Sequence, residues 1–408
     1  MGLPPVLSWA DRLVALRDRV LASPRFQAWA AAMPLTRPIA RKRARALFDL
    51  CAGFVYSQVL VACVRLDLFE LLKAGPLEAA DLAHRLDLAP DRLAVLVDAA
   101  ISLGLLERRR QGRIGLGQLG ATMVGNEGVA AMVRHHALLY ADLADPVTLL
   151  RAPIGGTDLG SFWSYAGGVG EGEARADAAP YTALMAASQP LVADEILDAW
   201  PVARHRQLLD VGGGNGTFAR AAAKRAPQLA VTVFDLPEVA ALARGRLAEA
   251  GLGARGTAVG GDFRRDPLPR GADLATLVRV LHDHNDDAVL DILSNLRRSL
   301  APGATLLIAE PMSDTASAAP VADAYFGFYL LAMGQGRPRS PAEIAALALR
   351  AGFVAPRQLS TRQPLLVRIV AATVPSKVLS ELDTEKCNAK LTDNEMAIEP
   401  KTLGGEPS

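Results

Sequence analysis

The chain has 408 residues, half of them hydrophobic, and a net charge of +1. That length exceeds the usual size of a single core and predicts two domains, while the balanced charge excludes a global field that would recruit nucleic acid or an acidic partner. Three widely spaced cysteines, Cys51, Cys63 and Cys387, form no CxxC or Cys/His spacing, which argues against a disulfide framework or a structural zinc and for a reducing compartment.

Residues 1–45 read as an N-terminal arm. Asp11, Arg12, Arg17, Asp18 and Arg19 stand where a signal peptide needs an apolar core, and no uncharged apolar stretch of 18 residues follows. A cytoplasmic protein, soluble or peripheral to a membrane, is expected. The run Arg37, Arg41, Lys42, Arg43 and Arg45, preceded by Trp9 and Trp29, suits either a solvated helix face or contact with anionic lipid.

From 46 to 150 apolar residues recur at helical spacing, as in Phe54, Val55, Leu60 and Val61. Asp81 to Leu86 and Pro90 to Leu93 have the pattern of a helix-turn-helix. With the short segments Leu103 to Leu106 and Gly112 to Leu116 they predict a winged helix. A DNA-binding regulator is the reading this invites, but Pro90 to Gly104 offers a groove only Arg92 and is otherwise mainly apolar, which fits a buried dimer interface better. No nucleic-acid partner is expected.

Residues 151–180, rich in Gly, Ala and Pro with Phe162, Trp163 and Tyr165, read as a linker and substrate-lining segment. From 181 to 375 the apolar runs Gln207 to Val211, Val231 to Phe234, Leu274 to Val278 and Thr305 to Ala309 alternate with helical stretches. This specifies an α/β domain of Rossmann-like type with a mostly parallel sheet. The last stretch, 376–408, holds Lys377, Lys386, Lys390 and Lys401 and no arginine, whereas the first 375 residues hold only three lysines; a polar, disordered tail is expected.

The first strand of the α/β half runs into Asp210-Val211-Gly212-Gly213-Gly214-Asn215-Gly216, a turn whose glycines let the backbone approach an adenosine-type ligand. The second ends at Asp235, where a carboxylate accepts hydrogen bonds from ribose hydroxyls. Thr217 occupies the position where a dinucleotide fingerprint needs Gly or Ala, which weakens a pyrophosphate reading. A cationic methyl donor tolerates the acidic Asp210, and Asp262 with Phe263 would meet its adenine.

With these motifs the chain resembles the two-domain small-molecule O-methyltransferases that use S-adenosylmethionine and release S-adenosylhomocysteine, with an N-terminal winged-helix dimerisation domain. The likeness lies in Leu209 to Gly216, Val233 to Pro237, Gly261 to Phe263, Arg279 to Asp283 and Pro302 to Pro311. It implies a homodimer without metal, places Gly212, Gly214, Leu236 and Arg279 with Asp210, Asp235, Asp262 and Phe263 around the cofactor, and assigns the general base to His282, with Glu310 orienting it. His282 also follows the strand Leu274 to Val278, at the sheet edge where ligands bind. His284 is expected to pack against cofactor or helix, and a helix-capping role for the His282-Asp283 pair is the alternative. The plant members carry a second acid before an arginine; the nearest equivalent here is Gly336, so no second orienting glutamate is carried over, and Asp323 is the residue that would compensate.

A closer likeness is to the carotenoid O-methyltransferases of purple phototrophic bacteria, carried by Leu7 to Leu13, Pro34 to Pro38, Phe54 to Gln58 and Met333 to Arg339. It implies methylation of the C-1 tertiary hydroxyl of an acyclic carotenoid of demethylspheroidene or 1-hydroxyneurosporene type, in the spheroidene pathway. Met132, Tyr140, Phe162, Trp163, Tyr181, Met185, Tyr325, Phe326, Phe328 and Met333 are candidates to line its tunnel. A tetrapyrrole, polyketide or phenolic acceptor is the alternative that the residues alone leave open.

Overall fold

The structure is a computed structural model that describes residues 8–151, 156–167, 178–315 and 320–376. The expected polar tail beyond 376 and the side chains of Trp163, Tyr165 and Tyr181 lie outside the described residues. The chain forms two compact units, residues 1–126 and 127–408.

The first unit is helical. Helices α1 (Trp9–Ala22), α2 (Pro24–Ala32) and α3 (Arg37–Arg65) precede the short α4 (Leu68–Leu71), α5 (Ala79–Leu86) and α6 (Pro90–Ser102). Strands β1 (Leu106–Arg108) and β2 (Ile114–Leu116) pair antiparallel, followed by the single turn α7 (Gln118–Ala121). Helices α5 and α6 with this two-stranded ribbon make the winged helix that the turn residues predicted. Leu82, Leu93, Val97, Leu106 and Ile114 form its buried face. Helix α3 is long and apolar enough, by length and composition, to cross a membrane, with 11% of its most apolar window buried. Asp49 lies within the helix, so it is not an uninterrupted uncharged apolar stretch.

The second unit opens with α8 (Glu127–Asp142), α9 (Pro146–Arg151), α10 (Asp158–Gly167) and α11 (Ala178–Ala199). Then strands and helices alternate: β3 (Gln207–Val211), α12 (Thr217–Arg225), β4 (Ala230–Asp235), α13 (Pro237–Glu249), β5 (Gly256–Gly260), β6 (Leu274–Val278), α14 (Asp286–Ser299) and β7 (Thr305–Glu310). A π-helical turn, Pro320–Tyr325, leads into α15 (Phe326–Met333), and α16 (Pro341–Arg350), β8 (Val354–Leu359) and β9 (Arg368–Thr373) complete the unit.

The seven strands lie in the order β5-β4-β3-β6-β7-β9-β8, parallel from β5 to β7. Strands β9 and β8 add an antiparallel edge. Both faces are covered, one by Phe218, Ala222, Ala240 and Leu247 and the other by Val289, Ile292, Leu296 and Ile344, so the central strands are mainly apolar, with the buried Asp210 and Thr276 as polar exceptions. The chain winds outward in opposite directions from β3 and β6, and the crevice at their carboxyl ends is where such sheets bind ligands.

Candidate active site

The glycine turn sits at that crevice. Gly212 and Gly214 have φ of +69° and +58°, the left-handed region that side chains disfavour. A Cβ on Gly213 would lie 2.5 Å from Asp210 Oδ2, whereas one on Gly214 would meet nothing within 4 Å. The backbone is therefore fixed on its inner side and bare on its outer side, the cradle an adenosyl group requires.

Asp235 ties this turn to β4. Its Oδ2 accepts from Gly214 N at 2.8 Å and its Oδ1 from Leu236 N at 2.8 Å. Each oxygen keeps a second lone pair, the capacity needed for two ribose hydroxyls. Asp210 is buried; Oδ1 accepts from Thr276 Oγ1 at 2.7 Å, and Oδ2 has no hydrogen-bond partner among the described residues. Burial pushes the Asp210 carboxyl up to about 7, the Thr276 bond opposing and the Asp235 charge adding to the rise. Burial likewise lifts Asp235 to about 6 against its two backbone bonds. Farther along the crevice, Asp262 accepts from Arg264 N at 2.9 Å, and the Phe263 ring meets His284 edge-on at 5.5 Å. Burial holds His284 down at about 4, so it is a neutral packing residue beside Phe263.

His282 lies in a separate 3-10 turn, Leu281–Asp283, between β6 and α14. Its Nδ1 is 3.4 Å from Glu310 Oε2, which also accepts from His282 N at 3.1 Å. Its Nε2 is 3.1 Å from Asp283 Oδ1, but that oxygen lies off the hydrogen-bonding direction and has no hydrogen bond of its own. Burial works against a charged ring; Asp283 and Glu310 outweigh it, with Arg279 opposing, and the His282 pKa is raised above its ordinary value. Asp283 is itself raised to about 6 by burial. Sequence reasoning treated Asp283 as a possible helix cap, but α14 begins only at Asp286 and Asp283 is buried against the imidazole. Asp323, by contrast, is exposed.

The turn that carries His282 is held from outside by residues 334–340. Arg339 has no exposed side-chain surface. It donates to Leu281 O at 2.8 Å, to His284 O at 2.7 Å and to Asp286 Oδ1 at 2.7 Å. Arg337 N donates to His282 O at 3.0 Å, while its guanidinium bridges Asp286 and Glu343. The residue before the buried arginine is Pro338, again not an acid. Gly336, at φ +81°, passes so close to the turn that a Cβ would meet His282 O at 2.1 Å.

The expected lining residues divide. Tyr325 packs edge-on against Phe326 at 4.9 Å, and Phe326 meets the His282 ring at 6.0 Å. Phe162 and Met185 pack on the small core that contains Met333, while Phe328 is about one-third exposed, at 36%. Tyr140 lies 5.9 Å from His136. His135 and His136, which sequence reasoning passed over, are 2.8 Å from the Tyr329 and Tyr325 hydroxyls. Burial lowers both, His135 to about 4, which makes them neutral polar groups in an aromatic wall. Two adjacent histidines on an otherwise apolar helix were the available signal. Arg279, at φ +55°, donates to Ser188 Oγ at 2.8 Å and Met185 O at 3.0 Å, tying α11 to the end of β6.

Two outcomes follow from this geometry. Gly336→Ala forces the strap off the turn and is expected to cost about 2–4 kcal/mol of stability and most turnover at temperatures where the variant stays folded; melting and turnover equal to the parent's would show that nothing is held there. Asp210 and Asp235 keep their protons longer when folded than when unfolded, so their contribution to the stability of the ligand-free protein falls as pH rises from about 4 through about 7. Melting curves across that range should show a smaller loss in Asp210→Asn, and an unchanged slope would contradict the assignment.

Among the described residues no cluster of three or more His, Cys, Asp or Glu suited to a metal occurs. An O-methyltransferase dimerisation domain matches residues 48–131 and an O-methyltransferase domain matches residues 140–354. The chain is 42% identical over 364 residues to the demethylspheroidene O-methyltransferase of Cereibacter sphaeroides, covering 89% of this chain and 96% of that protein. To the enzyme of the same name from Rhodobacter capsulatus it is 40% identical over 357 residues, covering 87% and 88%. It shares the fold of human N-acetylserotonin methyltransferase solved with S-adenosylmethionine, with a TM-score of 0.68 at 24% identity over 82% of this chain and 98% of that one. The chain belongs to the S-adenosylmethionine-dependent O-methyltransferases, with the dimerisation and methyltransferase domains of that family.

Proposed function

We propose that this enzyme methylates the C-1 tertiary hydroxyl of an acyclic carotenoid of demethylspheroidene or 1-hydroxyneurosporene type, with His282 as general base. The observation that carries the acceptor is the 40–42% identity to two demethylspheroidene O-methyltransferases over nearly the whole chain. The aromatic wall of Tyr325, Phe326 and Tyr329 beside His282 suits a long apolar acceptor.

S-adenosylmethionine, when bound, supplies an electrophilic methyl group on a cationic sulfonium. Asp235, Leu236 and the bare backbone at Gly214 would hold its adenosyl part, with Asp262 and Phe263 toward the adenine. A tertiary alcohol is a weak acid, so removal of its proton as the O–C bond forms is worth roughly 10²–10⁴-fold. With the Nδ1 proton directed at Glu310, the Nε2 lone pair is the acceptor, and the positive charge that the ring gains is stabilised by Glu310 and Asp283. Phe326 against the ring keeps water from that edge.

We also infer a homodimer. Leu47, Phe48, Leu50, Phe54 and Val55 are exposed on α3, and a second copy covering them would bury the apolar length of that helix within the dimerisation domain.

Purified protein given labelled S-adenosylmethionine and detergent-solubilised hydroxycarotenoids, chlorophyllides or phenols should label the carotenoids; label only on phenols or tetrapyrroles would remove the acceptor assignment. His282→Ala should lower kcat roughly 10²–10⁴-fold, and an unimpaired variant refutes the base. Because Asp283 raises the His282 pKa, Asp283→Asn should move the acid limb of kcat/KM to lower pH. A limb that stays in place, or moves the other way, would show that the carboxylate does not act on the imidazole.

A further inference from the structure

Helix α1 is built with care and buries nothing. Ser8 and Asp11 form a capping box at its start, Ser8 Oγ accepting from Asp11 N at 3.2 Å and the Asp11 carboxylate accepting from Ser8 N at 3.2 Å, yet none of its 14 residues is buried. Its side chains are nonetheless sorted. Trp9, Leu13, Leu16 and Val20 follow at four-, three- and four-residue steps, which puts them within an arc of about 60°. All four are exposed, Trp9 at 77%. Arg12 and Arg19 flank this stripe on one side and Arg17 on the other, about 70–90° from its centre, while Asp11 and Asp18 stand on the opposite face. Arg17 is paired with Asp18 at 2.7 Å, leaving Arg12 and Arg19 as the main charged flank.

No packing within the described residues accounts for this pattern, because the stripe faces outward. The charge around it has the same bias: residues 1–50 hold nine arginines and lysines against three aspartates, a net +6 in a chain whose total is +1. Two of the four tryptophans, Trp9 and Trp29, fall in this segment, and Trp29 is half exposed. The basic run Arg37, Arg41, Lys42, Arg43 and Arg45 continues the same bias into α3. The segment precedes the dimerisation domain, which starts at residue 48.

We infer that α1 lies in the interface of an anionic lipid bilayer, its Trp9-Leu13-Leu16-Val20 stripe among the acyl chains, Arg12 and Arg19 at the headgroups and Asp11 and Asp18 toward water. The narrow apolar stripe with basic flanks and acids opposite is the arrangement that such interfacial helices require. Its purpose rests on the carotenoid reading above, since an acceptor dissolved in lipid is reached from the bilayer, but the surface itself is read from charge and exposure.

The test is co-sedimentation of the full chain with vesicles of phosphatidylcholine alone or mixed with phosphatidylglycerol, at low and high salt, beside methyl transfer to hydroxycarotenoid in detergent and in the same vesicles. Binding to the phosphatidylglycerol vesicles should be salt-sensitive and fall roughly 10-fold or more in Arg12→Gln/Arg19→Gln and in Leu13→Ser/Leu16→Ser. Both variants should keep their melting temperature and their activity in detergent. Binding unchanged in both variants, or no binding at all, overturns the proposal. A variant that instead changes from dimer to monomer in solution also overturns it, by assigning the stripe to a second copy. Vesicle binding without any carotenoid methylation supports the surface and removes the acceptor reading; the converse result removes the surface alone.

Discussion

A guanidinium without exposed surface is the constraint on which the His282 turn depends. Removing such a charge from water costs several kcal/mol unless its donors are met. Arg339 meets them with two backbone carbonyls, Leu281 O and His284 O, and with Asp286, all from the segment that carries His282. A lysine has a point charge and no planar fork, so it cannot bridge these three acceptors. The same strap approaches on its inner side through Gly336, where no Cβ fits. His282 is consequently positioned by the backbone around it as well as by Glu310, and the imidazole has little freedom to leave the edge of β6.

The crevice gathers acids rather than donors. Asp210, Asp235, Asp262, Asp283 and Glu310 all stand at the carboxyl ends of β3 to β7 or just beyond them. A pyrophosphate entering this field would be repelled, whereas a sulfonium cation and ribose hydroxyls find partners. Burial raises three of these carboxyls, and the ligand-free site therefore holds protons that a cationic ligand would help to displace. The methyl-donor preference that Thr217 suggested has this electrostatic basis, and His282 stands in the same excess of negative charge on the other side of the crevice.

Much of this was legible in the residues because buried parallel strands are continuous apolar runs. Gln207 to Val211 and Leu274 to Val278 became β3 and β6 as predicted, β4 and β7 end at Asp235 and Glu310 as read from the sequence, and β4 begins one residue before its apolar run, at Ala230. Strand β5 was passed over because Gly256 and Gly260 bound it, and β8 because Pro356, Arg357 and Gln358 break any apolar run. Arg339 marked a likeness but gave no sign of burial, since arginine is ordinarily a surface residue. Asp283 had the look of a helix cap because only the three-dimensional start of α14 at Asp286 separates it from that role. The residues in α1 were visible as charges and a tryptophan, but that none of them is buried is a property of the fold.

The central claim is that His282 is held between two carboxylates with its charge favoured, and it is tested most directly by nitrogen-15 NMR of the histidine ring across pH. The His282 resonance is expected to titrate above the ordinary histidine value, with the Nδ1 proton retained in the neutral form and a pKa that falls in Glu310→Gln. A ring that titrates at or below the ordinary range, or carries its neutral-form proton on Nε2, would contradict it.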